Sequence, residues 1–181
     1  MQSPDPGIIP SLPAPAVGEK ILMSVSGFPP FKEKRHSLRN PTHRFYDRFV
    51  ALRRAAEEAM RGRRWFDGPV ALELVLYAPA FEKGRGMIDY LGGVMDTLDG
   101  SHGFTFTYLP IVFQDDCQVC SSSTFFSKSS DARYTLQATF GFAEYIVPDF
   151  VNSESCVTRS GHMTPFGSQN SNLNLGMWSC L

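Results

Sequence analysis

The sequence predicts a mixed α/β (α+β) domain over about residues 20–147, a small mixed β-sheet with two main helices packed on it. Three observations lead there. Two segments carry apolar residues at helical spacing, other short segments read as strands, and together they follow the order β-α-β-α-β-β. A chain of 181 residues is also long enough to bury one real core, and no internal repeat divides it.

Residues 1–19 contain Pro4, Pro6, Pro10, Pro13 and Pro15, which predicts a flexible or polyproline-like lead-in. No Lys or Arg precedes an apolar stretch there, so no secretory signal is expected. Lys20 opens a short β-run that breaks at Gly27 and the Pro29-Pro30 pair. Asn40-Pro41 then predicts a helix start, with Asn as N-cap and Pro at the first helical position. Phe45, Phe49, Leu52, Ala56, Ala59 and Met60 form its apolar stripe, and the helix is expected over about 41–62, ended by Gly62. The polar faces carry Arg44, Arg48, Arg53 and Arg54 among others.

In the next strand, 69–77, Val70, Leu72, Leu74 and Leu76 alternate with Ala71, Glu73 and Val75. Both faces are mostly apolar, which predicts a central strand covered on both sides. A second helix is expected at about 88–99, with Leu91, Val94, Met95 and Leu98 as its stripe. Gly92-Gly93 inside it is unusual, because each Gly costs roughly 1 kcal/mol relative to Ala. Either a neighbouring element packs closely there, or a ligand or nucleic-acid backbone approaches too near for a Cβ. Ile111–Phe126 reads as one strand or two, and Tyr134–Phe142 alternates cleanly. Residues 148–181 form a Ser/Asn-rich C-terminal tail outside the expected core.

The net charge of −1 conceals a split. Lys32 to Arg64 holds eleven basic residues against four acids, a window of +7, which leaves −8 for the other residues. Gly86 to Asp116 holds Asp89, Asp96, Asp99, Asp115 and Asp116 and no Lys or Arg. A basic block suits a polyanion, and an acidic block without counter-charge suits a hard cation. No stretch approaches ~18 apolar residues, so no membrane span is expected. Four Cys without an export signal predict cytosolic thiols and a cytoplasmic protein.

Carboxylates from separate elements can converge on one point, and their mutual repulsion then calls for Mg²⁺ or Mn²⁺. Such an ion would act on a phosphodiester. The plainer alternative makes Asp89 a capping carboxylate and Asp115-Asp116 a turn.

Here the residues resemble the RusA-type Holliday junction resolvases, homodimeric Mg²⁺-dependent endonucleases. Ser24-Val25-Ser26-Gly27-Phe28-Pro29-Pro30 followed by Lys32, Lys34 and Arg35 looks like the family's opening strand and Pro-Pro loop. Ile88-Asp89-Tyr90-Leu91-Gly92-Gly93-Val94-Met95-Asp96-Thr97-Leu98-Asp99-Gly100 is similar to D-x-D-N-hydrophobic-x-K-x-x-x-D-x-L, and Asp115-Asp116-Cys117-Gln118-Val119 to D-D-x-Q-hydrophobic. The likeness spans about residues 20–142. Asp89 matches the family's second aspartate with one residue missing, or its Asn in an ungapped alignment. The first aspartate falls on Met87 or Gly86, the lysine falls at Gly92-Gly93, and the link 101–110 is longer than the family's. Lys83 or Arg85 is the expected substitute for that lysine.

The resemblance implies a homodimeric endonuclease on branched DNA. Asp89, Asp116 and Asp115 would be catalytic, and Asp89, Asp116 and Asp96 the Mg²⁺ (or Mn²⁺) ligands. Phosphate contacts are expected from Lys32, Lys34, Arg35, Arg39, Arg44, Arg48, Lys83 and Arg85. Met87 and Gly92-Gly93 are the features that favour the alternative, a catalytically decayed RusA-like DNA-binding protein without nuclease activity. Cys117-x-x-Cys120 has zinc-like spacing, a third possibility, although in a strand the two thiols point to opposite faces. His36 and His43 flank the basic loop, His102 is a candidate base, and Phe104, Phe106 and Tyr108 are expected to pack or to meet a partner copy.

Overall fold

A computed structural model describes residues 10–33, 37–100 and 108–141. Within them the chain forms β1 (Lys20–Ser26), α1 (Tyr46–Met60), β2 (Val70–Ala78), α2 (Met87–Leu98), a single 3-10 turn (Asp116–Gln118), β3 (Val119–Lys128) and β4 (Arg133–Phe140). The mixed sheet runs β1-β4-β2-β3. β4 is antiparallel to both β1 and β2, whereas β2 and β3 are parallel and joined through α2. The expected small α+β fold with two helices is therefore present. The tail at 148–181, Phe142, and Lys34, Arg35 and His36 lie outside the described residues.

Alternation places Val70, Leu72, Leu74 and Leu76 of β2 in the core with Tyr134, Leu136, Ala138 and Phe140 of β4. Phe49, Leu52, Ala56 and Met60 of α1 and Tyr90, Val94 and Leu98 of α2 join the same cluster. Each fully buried Val, Leu, Met or Phe among them contributes about 1.5–3 kcal/mol. β2 is central, as expected, but covered on one side: Glu73 is exposed and Ala71, Val75 and Tyr77 are only half-buried. β3 is an exposed edge strand.

Three local expectations are corrected. Asn40 caps a turn instead of a helix: its Oδ1 accepts from Thr42 N–H at 3.0 Å and from the Thr42 hydroxyl at 2.9 Å. Short turns then carry the chain from Asn40 O to His43 N–H and from His43 O to Tyr46 N–H, so α1 begins only at Tyr46. The apolar run Ile111-Val112-Phe113 is a core plug, not strand. Ile111 and Val112 N–H donate to Leu98 O, and Val112 O accepts from Phe66 N–H at 2.9 Å. Arg53, read as surface, is 9% exposed and donates to Thr97 O and Leu109 O, tying α1 to the end of α2. Inside the Pro-rich lead-in, Leu12 exchanges backbone hydrogen bonds with Gly62 and Arg64, and Gly18 N–H donates to Phe140 O.

The glycine pair in α2 has a structural cause. A Cβ on Gly93 would lie 2.3 Å from the Phe31 Cα and N, so the chain crosses the helix in direct backbone contact. Lys32 N–H donates to Asp89 O at 3.0 Å beside this crossing. At Gly92 a Cβ would meet only the Lys32 stem, at 3.4 Å. Urea unfolding should separate the two positions. Gly93→Ala forces backbone apart and should destabilise by about 1–3 kcal/mol or more, whereas Gly92→Ala should be neutral or gain up to about 1 kcal/mol.

Candidate metal centre

The chain direction brings the acidic residues together. Leaving β2, the chain runs back along α2, so the last turn of the helix ends near the start of β3. Asp96 and Asp99, three apart, fall on one face of that turn. Asp116 opens the 3-10 turn that leads into β3. One carboxylate oxygen from each of Asp96, Asp99 and Asp116 lies within 4.8 Å of the others. They line a cleft of about 510 Å³ together with Asp115, Lys32 and Arg39.

The sequence Asp115-Asp116-Cys117-Gln118 sets this geometry locally. Asp115 is the N-cap, its Oδ1 accepting from Cys117 N–H at 2.8 Å. Gln118 Oε1 accepts from Gln114 and Asp115 N–H, and its Nε2 donates to Phe66 O and Gly68 O, both at 2.9 Å. The turn is thereby pinned to the segment before β2, and Asp116 is left to face the cleft. Its Oδ1 is buried without a hydrogen-bond partner. Such an atom is costly unless a proton or a cation satisfies it.

Arg39 holds the other side. Its guanidinium donates to Asp99 Oδ1 at 2.7 Å and to Asp96 O and Gly100 O, closing the end of α2. Asp99 is 4% exposed, and burial pushes its carboxyl up to about 7, against the opposing pull of Arg39. Burial, then the neighbouring Asp96 charge, pushes Asp116 up to about 6.

Of the residues expected at the metal, Asp96 and Asp116 come together and Asp115 stands beside them. Asp89 does not join them. Its Oδ2 accepts from Gly86 N–H at 2.8 Å, capping the first turn of α2. That is about 10 Å of helix axis from Asp96. Asp99, not among the expected ligands, takes the third place.

The basic residues divide similarly. Lys32 is exposed, with Nζ 3.3 Å from Asp96 Oδ1. Arg44 is exposed and lies over the Phe45 ring, and Lys83 is exposed. Arg39 is committed inside the cleft, and Arg48 is bound in a two-point pair to Glu82 at 2.7 and 2.8 Å. Arg85 stacks 3.6 Å over Phe31 and reaches Glu33 at 3.8 Å. Among the described residues the exposed cation at the carboxylates is thus Lys32, in place of the expected Lys83 or Arg85. Cys117 and Cys120 are exposed and belong to no metal-competent group among the described residues. His43 pairs with Glu33 at 3.1 Å, and Tyr108 packs edge-on against Phe49; His102, Phe104 and Phe106 lie outside the described residues.

Searches against family models and curated proteins find no match to this chain.

Asp99 and Asp116 hold protons in the folded chain that the unfolded chain, near 3.9, has already released. Their contribution to stability therefore falls as pH rises from about 4 to about 7, then levels. Without metal, thermal unfolding should show a higher Tm at pH 5 than at pH 8, and Asp116→Asn should narrow that gap. Mn²⁺ affinity, followed by calorimetry, should rise with pH through 6–7 as these carboxyls ionise.

Proposed function

We propose that this protein is a Mg²⁺- or Mn²⁺-dependent endonuclease of the RusA type that cuts branched DNA as a homodimer. Support comes above all from one observation: three carboxylates from two separate segments meet at a cleft where a buried Asp116 oxygen has no partner. An all-oxygen carboxylate set suits a hard divalent cation over zinc or copper. Asp96, Asp99 and Asp116 would hold the ion. When bound, it would polarise a phosphodiester oxygen and supply an activated water.

The remaining residues do the positioning. Asp115 and Gln118 fix the turn that aims Asp116, and Arg39 fixes the helix end that presents Asp96 and Asp99. Lys32, Arg44 and Lys83 keep solvent-facing charge for phosphates, with Lys34 and Arg35 next to Lys32 in the chain. A second reading, a RusA-like DNA-binding protein without nuclease activity, draws on Asp89, whose carboxylate is committed to Gly86 N–H.

A synthetic four-way junction incubated with the protein and Mg²⁺ tests the proposal. Nicking should be lost by about 100-fold or more in Asp116→Asn, because the metal's charge stabilisation is worth several kcal/mol. Junction binding that ignores Mg²⁺ and yields no product would establish the second reading instead. Binding should weaken steeply with salt in either case.

A further inference from the structure

We propose that Lys32 is an exchangeable counter-cation: its ammonium rests on Asp96 until a divalent ion takes that carboxylate, and then turns to an anionic oxygen of the substrate. This rests on the cleft being a metal centre.

The backbone at Lys32 is fixed, while its side chain is exposed. Phe31, 2% exposed, is wedged against Gly93, and Lys32 N–H is held by Asp89 O. From that anchor the stem runs along Gly92, where the missing Cβ leaves it a track, to bring Nζ to Asp96. The side chain is 63% exposed, and this ion pair is its one charged contact among the described residues. An ion pair in that setting is worth about 0–1 kcal/mol, so a dication can replace it readily. Arg39 is the opposite case: 16% exposed, it makes bonds to Asp99 and two backbone carbonyls, and those hold it in place.

The arrangement answers a charge problem. Asp96, Asp99, Asp115 and Asp116 line the same cleft as two cations, Lys32 and Arg39. A tethered ammonium lowers the repulsion among the carboxylates in the metal-free chain. Once displaced, it remains within a side-chain length of the site, where a phosphate oxygen would need a positive neighbour.

Mn²⁺ titration of the full chain by calorimetry or electron paramagnetic resonance tests this in wild type, Lys32→Gln and Lys128→Gln. Lys128 is the charge-matched control, at the far end of β3 and about 30 Å from its start. Lys32→Gln should bind Mn²⁺ about two- to fivefold more tightly, the removal of a competing pair worth up to about 1 kcal/mol. Lys128→Gln should match wild type. Equal or weaker binding by Lys32→Gln, with wild type binding normally, overturns the exchange alone. Absence of Mn²⁺ binding by the wild-type chain overturns the metal centre, and the exchange with it.

Discussion

The contact between Phe31 and Gly93 fixes the loop that carries Lys32 against the helix that carries Asp96. A helix normally keeps other backbone at bay with its side chains, and here two successive residues have none. The chain leaving β1 can therefore lie directly on α2, with Phe31 buried and Lys32 hydrogen-bonded to Asp89 O. Any larger residue at 93 would lift the loop, and the cleft wall with it. The cost in helix propensity, about 1 kcal/mol per glycine, is offset by the packing this allows.

Onto that frame the chain places an electrostatic liability. Three carboxylates within 4.8 Å, one of them 4% exposed, cannot all be ionised comfortably. The protein answers with one half-buried cation, one exposed cation and two carboxyls that keep their protons well above the usual carboxylate range. Arg39 alone does not balance the site, since it is shared with the backbone carbonyls that end α2. When all of these carboxyls are ionised the site stays negative, and three of them stand close enough to hold a metal ion.

Much of the fold was legible because each core element shows its own period: 3.6 along Phe49, Leu52, Ala56 and Met60, two along Tyr134, Leu136, Ala138 and Phe140. Ile111-Val112-Phe113 shows why some was not, since a buried plug and a buried strand are equally apolar. At the site, Asp96 and Asp116 were visible as separate acids with motif-like neighbours. Asp89 was placed at the metal by its match to the family motif, whereas its position in the first turn of α2 is two turns away and suits a cap. The three-residue step from Asp96 to Asp99 was the available signal for the third ligand. What no local pattern carries is pairing across the chain: Arg39 finds Asp99 sixty residues away, and Arg48 finds Glu82 thirty-four away. Of the basic residues expected at phosphates, Arg39, Arg48 and Arg85 are instead internal ties.

The direction of α2 has a consequence of its own. Its C-terminal end, not its N-terminal end, faces the cleft, and peptide dipoles summed along 12 residues place partial negative charge there. Phosphate-binding loops use the opposite pole, where free N–H groups welcome an anion. An anion at this cleft would meet repulsion from the helix terminus as well as from the aspartates. Four aspartates against Lys32 and Arg39 leave two negative charges when all are ionised, so one dication held there would bring that sum to zero, and the pole of the helix would favour it as well.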